Sequence, residues 1–132
     1  MIDLLVAGAG PAGLATAIYG ATAGLDVVVV ERRRGTLDKA CGEGMMPHTV
    51  GHLRRLGVDP HGMPLRGISY IDDGVRVDAD FRSGCGRGVR RTVLHAALRQ
   101  AADAAGVTFV DGRVGERAPS SAAVHAAGLT AR

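Results

Sequence analysis

Between residues 3 and 31 the chain reads as strand, glycine turn, helix and strand, an order that few folds accept in so short a span. The run DLLVA at 3–7 is apolar and stops on glycines, as a strand buried on both faces does. Residues 11–23 follow with Leu14, Ala17, Ile18 and Ala21 at helical spacing. Pro11 stands where a first helical turn tolerates proline, and Gly24 where a helix stops. DVVVV at 26–30 is an unbroken β-branched run and reads as a second buried strand. Parallel strands joined through a helix make a right-handed βαβ unit, so the fold class is α/β and Rossmann-like.

The turn itself, GAGPAG at 8–13, has the spacing of a dinucleotide fingerprint. Gly8 permits the sharp exit from the strand, Gly10 lets backbone amides reach a pyrophosphate, and Gly13 lets the helix lie close to the sheet. Pro11 and Ala12 complete the turn, and the phosphates would face a helix N-terminus whose free N–H groups and dipole favour negative charge. Glu31, at the end of the second strand, stands about 20 residues beyond the motif, where a ribose-binding acid belongs. A carboxylate accepts both ribose hydroxyls and repels a 2′-phosphate, which points to FAD or NAD rather than NADP. Arg32, Arg33 and Arg34 argue the other way only if they reach that phosphate; a solvated loop, or an arginine packed on the adenine, is the weightier reading of such a run.

Downstream, residues 32–47 are polar and glycine-bearing, too long for a simple connector, and loops of that kind often carry function. Residues 48–56 read as a short amphipathic helix with Val50, Leu53 and Leu56 inward, and 67–81 as an inserted β-hairpin around Asp72, Asp73 and Gly74. Residues 91–105 read as a helix with Val93, Leu94, Ala97, Leu98, Ala101 and Ala105 on its inner side, ended by Gly106. VTFV at 107–110 is a third buried strand, and 112–125 begin a C-terminal β-meander. No repeat or linker divides residues 1–132, which read as one nucleotide-binding domain.

Composition excludes several functions. The net charge of +3 comes from 16 basic and 13 acidic residues, and Lys39 is the only lysine. Two Tyr, two Phe and no Trp leave nothing to stack bases, and acids are interspersed with the arginines, so no nucleic-acid partner is expected. No apolar run reaches the roughly 18 residues of a membrane span, and Asp3 replaces the positive charge of a secretory leader, so a cytoplasmic location is expected. Cys41 and Cys85 lie far apart, without the pairing of a zinc site or a disulfide scaffold. Cys41 reads better as a small packing residue than as a redox thiol. His48 and His52 are four apart on a helix but lack the third ligand a metal needs, so no metal is expected. No catalytic triad or acid–base pair is visible, which does not count against an enzyme whose cofactor carries the chemistry.

GAGPAGLATA followed by VVVVER resembles the N-terminal half-site of FAD-dependent oxidoreductases with the glutathione-reductase type of FAD fold. KACGEGMMPHTVGHLRRLGV at 39–58 resembles the CGEG-and-proline stretch of geranylgeranyl reductase-like flavoproteins and related aromatic-ring hydroxylases. GVRRTVLHAALRQAA at 88–102 is similar to their Arg-x-x-Leu-x-x-x-Leu helix. The resemblance implies FAD as cofactor, NAD(P)H as electron donor, a small-molecule substrate, and either oxygenation or reduction of a double bond. It places Gly8, Gly10, Gly13 and Glu31 on the ADP half of FAD, with Arg32 and Arg91 as further contacts. Cys41, Gly42, Glu43, Gly44 and Met45 would lie toward the flavin. An NAD-dependent dehydrogenase domain and a non-catalytic remnant stand as alternatives.

The same resemblance implies that the domain stops before its final strand, since the family's later Asp-Gly and Gly-Asp motifs are absent. The expectation is an incomplete domain that does not turn over alone. Its first strand would have one unpaired side, an edge open to self-association.

Overall fold

A computed structural model describes residues 1–39, 41 and 43–115, and the backbone of 123–125. β1 (Leu4–Ala7), α1 (Pro11–Thr22) and β2 (Val27–Glu31) form the expected βαβ unit, with β1 and β2 parallel from Leu4↔Val27 to Ala7↔Val30. The long connector after β2 contains β3 (Gly44–Met45), and α2 (Pro47–Arg55) follows with Val50 and Leu53 buried. Next come β4 (Met63–Leu65), the hairpin strands β5 (Gly67–Asp72) and β6 (Val75–Asp80), and β7 (Gly86–Gly88). α3 (Arg91–Ala104), β8 (Thr108–Asp111) and β9 (Ala123–His125) complete the order.

The central sheet runs β8-β2-β1-β9 and is parallel throughout. Here one expectation is overturned. β1 is not open on one side: β9 pairs with it at Leu5↔Ala123, Val6↔Val124 and Ala7↔His125. Three residues are too few to show a periodic pattern, so this strand is hidden within what reads as a meander. The edges of the sheet are β8 and β9.

Of the two small sheets, the hairpin at 67–81 was expected and the other was not legible as such. β3, β7 and β4 make an antiparallel sheet through pairs such as Gly44↔Gly88 and Pro64↔Arg87, whose glycines and proline carry no alternating pattern. The hairpin β5–β6 closes on Asp73 and Gly74, both at positive φ (40° and 82°), the geometry of a type I′ turn. It stands apart as a two-stranded ribbon. Tyr70↔Val77 and Asp72↔Val75 share one face, and Tyr70, Val75 and Val77 are exposed. On the other face Arg76 bonds Asp78 at 2.9 Å, and Ser69 donates to the same carboxylate.

α1 and α3 pack against each other. One hydrophobic cluster joins Val6, Val29, Leu14, Ile18, Leu98 and Ala102 to Leu37, Met45, Val50, Leu53, Val58 and Val89, so the small sheet and α2 rest on the same core as the βαβ unit. Each helix ends on a glycine at positive φ, Gly24, Gly57 and Gly106. The same bond pattern closes all three, for example Leu25 N–H to the Gly20 carbonyl at 3.1 Å.

In β7 a side chain on Gly86 would meet the Met45 backbone carbonyl and, at 3.3 Å, the Phe81 ring. Because the carbonyl belongs to the β3–β7 pairing, it cannot yield without breaking that pair. Gly86→Ala should therefore cost about 1–3 kcal/mol, read as a lowered urea midpoint at unchanged slope. An unchanged midpoint would show that β3 is free to move.

Candidate functional site

The site is built around one residue, Ala9. Gly8 leaves β1 at φ 102° and donates its N–H to the Val30 carbonyl at 2.8 Å, which swings the chain across the end of the sheet. The buried Ala9 peptide groups are then held from two directions. Its N–H donates to Glu31 Oε2 at 2.9 Å, and its carbonyl accepts from His95 Nε2 at 2.9 Å. Each partner reaches on to the loop after β2. Glu31 Oε1 accepts the Arg33 N–H at 3.0 Å, and His95 Nδ1 accepts the Leu37 N–H at 3.2 Å. The turn and the loop are thereby fixed to one another by a strand residue and a helix residue.

Glu31 thus does more than the sequence suggests. It is half-buried at the end of β2. Burial raises its pKa, but the amides of Ala9, Arg33 and Arg32 and the charge of Arg33 outweigh that and hold it below the ordinary value. It is ionised at neutral pH, and two backbone bonds leave lone pairs for hydroxyl donors.

Gly10 is the N-cap of α1, at φ −71° and ψ 173°, a conformation open to any residue. Beyond its chain neighbours, a Cβ built there meets no atom of the described residues within 4 Å. The packing of the described residues therefore gives no reason for glycine, and the open space lies over the first turn of α1. There Pro11 has no N–H, and the Ala12 and Gly13 amides have no partner within the helix.

Arg91, the first residue of α3, is 6% exposed. Its Nη1 is buried without a hydrogen-bond partner among the described residues. A buried guanidinium nitrogen without a partner calls for an acceptor that the described residues do not supply, and an anionic cofactor fits it. The backbone N–H of Arg91 donates to Glu43 Oε1 at 3.0 Å. Glu43 holds φ 51° and donates its own N–H to Cys41 Sγ at 3.4 Å. Glu43, expected toward the flavin, is therefore also the group that accepts from the first N–H of α3 and ties its own segment to that helix. Cys41 and Gly44 are exposed, Met45 is buried, and Gly42 lies outside the described residues. Arg32 is exposed, while Arg34 pairs with Asp111 at 3.0 Å on the surface.

His95 is the residue that sequence reasoning missed. The apolar periodicity put Val93, Leu94, Ala97, Leu98, Ala101 and Ala105 inward; Leu98 is buried and Leu94, Ala97 and Ala101 pack against the core as expected, while Val93 is exposed. The buried face is centred further round, because His95, Leu98 and Ala102 are buried in line with Arg91. Their spacing of four, seven and eleven residues from Arg91 was the available signal. Desolvation lowers the His95 pKa, the Ala9 carbonyl raises it, the charges of Arg91 and Arg99 lower it, and Glu31 raises it; the net direction is down. A carbonyl only accepts and an amide only donates, so the ring is neutral with its proton on Nε2.

The comparisons with known proteins agree with this geometry. The family model for an FAD binding domain matches residues 1–114. Menaquinone reductase of Mycolicibacterium smegmatis is 42% identical over 87 residues, which are 66% of this chain and 19% of that protein. Digeranylgeranylglycerophospholipid reductase 1 of Methanothermobacter thermautotrophicus is 38% identical over 77 residues, 58% of this chain and 18% of that protein. The solved structure of the tetrameric 2-methyl-3-hydroxypyridine-5-carboxylic acid oxygenase superposes with a TM-score of 0.70 at 25% identity, over 82% of this chain and 30% of that one. The chain thus spans less than a third of the length of each of these proteins. Together they bear out the resemblance to geranylgeranyl reductases and aromatic hydroxylases, with FAD as the cofactor. The chain belongs to the FAD-binding-domain family of flavin-dependent oxidoreductases and monooxygenases.

Proposed function

We propose that this chain is the flavin-holding part of a reductase for a small-molecule substrate, with the ADP half of FAD laid across the 8–13 turn in the glutathione-reductase manner. The observation that carries the placement is Gly10, whose open side at the head of α1 faces no atom of the described residues within 4 Å beyond its chain neighbours. In this reading the pyrophosphate lies against the Ala12 and Gly13 amides and Glu31 accepts the ribose hydroxyls. Arg91 supplies its orphaned Nη1 to cofactor oxygens, Arg32 is a further contact, and residues 41–45 line the approach to the flavin ring. Bound FAD supplies hydride and electron transfer, with NAD(P)H as donor; the chain's own groups bind and orient it. Reduction is favoured over oxygenation because both curated relatives above are named reductases. The exposed free thiols Cys41 and Cys85 suit a cytoplasmic setting. Self-association, where it occurs through the central sheet, belongs to the outer sides of β8 and β9 rather than to β1.

The test is a titration of the 1–132 chain with FAD, NAD and NADP. Quenching of flavin fluorescence at micromolar protein, with no saturable binding of NADP, supports the reading; binding of NAD in preference to FAD overturns it. Glu31→Ala should weaken FAD about 10- to 100-fold, the loss of one or two charge-assisted hydrogen bonds of roughly 1.5–3 kcal/mol. Equal affinities in wild type and variant would remove Glu31 from the site.

A further inference from the structure

We propose that His95 is a positioning residue that latches the glycine turn to the loop after β2 only while its ring is neutral, so that acid loosens the grip on the cofactor. The proposal rests on the placement of FAD given above. His95 is 3% exposed, on the face of α3 that also carries Arg91. It uses both ring nitrogens: Nε2 donates to the Ala9 carbonyl at 2.9 Å and Nδ1 accepts the Leu37 N–H at 3.2 Å. These two contacts span 86 and 58 residues of chain and bring α3 onto the turn and the loop, which Glu31 joins from the other side through Ala9 and Arg33.

The chemistry of the ring makes this joint conditional. A second proton goes to Nδ1 and converts it from acceptor to donor, so that two N–H groups then face each other across the Leu37 contact. Leu37 is buried, and a buried amide without an acceptor costs free energy comparable to a lost hydrogen bond. The segment that gives way is the part of the loop around Leu37, because Ala9 is also held by Glu31 and Leu37 has no second bond of that kind among the described contacts. The charged groups that face the ring are Arg91 and Arg99 of α3, which oppose its protonation, and Glu31 of β2, which favours it. α1 brings no charged side chain, and Asp38 beside Leu37 is exposed. Since the folded state prefers the neutral ring, the stabilisation is complete above the ordinary histidine value of about 6.5 and is lost as pH falls through the lower folded value.

Two measurements on the 1–132 chain test the latch. In the first, FAD affinity is followed from pH 8 to pH 5.5 for wild type and for His95→Gln, which keeps a donor for Ala9 but does not titrate. The wild type should weaken about tenfold more than the variant over this range, and parallel profiles would overturn the proposal. In the second, which needs no flavin, nitrogen NMR of the wild type should show His95 carrying its proton on Nε2. Its titration should move the Leu37 amide at the same midpoint; a Leu37 resonance indifferent to that titration overturns the latch even where His95→Gln fails to fold. A chain that binds no FAD at any pH sinks the cofactor placement instead, and the latch then stands or falls on the Leu37 amide.

Discussion

Gly10→Val is expected to abolish FAD binding, by about 100-fold or more, while leaving the far-ultraviolet circular dichroism and the urea midpoint of the flavin-free chain close to wild type. The two halves of this result come from the same geometry. Gly10 sits at φ −71° and ψ 173°, where valine is at ease, and beyond its chain neighbours none of the described residues has an atom within 4 Å of the position its Cβ would take. The fold therefore accepts the substitution. A pyrophosphate drawn against the first amides of α1 does not, because a branched side chain fills the space through which it must approach; losing two charge-assisted hydrogen bonds of roughly 1.5–3 kcal/mol each accounts for the effect. Isothermal titration against FAD decides the matter. Retained affinity in a folded variant would mean that the cofactor does not cross this turn.

Arg91→Met should move stability and affinity in opposite directions. The flavin-free chain buries a guanidinium nitrogen without a partner among the described residues, a loss of about 1–3 kcal/mol that an apolar side chain of similar length avoids. The variant should thus melt higher than wild type without cofactor and bind FAD at least about tenfold more weakly, because the acceptor that satisfies Nη1 is the ligand. The Glu43 bond survives, since it is made by the Arg91 backbone N–H. Thermal melts with and without FAD give both quantities. A variant that melts lower and binds FAD as wild type would make Arg91 a purely structural residue.

What the sequence revealed and what it hid divide along physical lines. Residues 3–31 were legible because unbroken apolar runs, a helix-start proline and glycines at fixed offsets each have one economical conformation. Glu31 and Arg91 were singled out by position. The pairing of Gly44, Gly86 and Gly88 was not legible, because strands of two or three residues held by backbone pairing leave no side-chain rhythm to read. The strand at 123–125 was read as part of a meander, and its parallel pairing with β1 was missed for the same reason. His95 was hidden by its chemistry: it is buried on the same face as Leu98, but a polar ring gives no sign of that until its two distant backbone partners are known.

The two bonds on Ala9 also govern when the nucleotide turn can take shape in a living cell. The motif at 8–13 leaves the ribosome before the residues that fix it, one bond coming from 22 residues later and the other from 86 residues later. At synthesis rates of about 5–20 residues per second, the turn waits roughly 4–17 s for the second of these. Over that interval the emerging chain displays the glycine motif without the helix that holds it. With FAD placed as proposed, flavin capture during translation is timed by the emergence of α3 rather than by that of the motif, and a pause placed before residue 95 prolongs that interval.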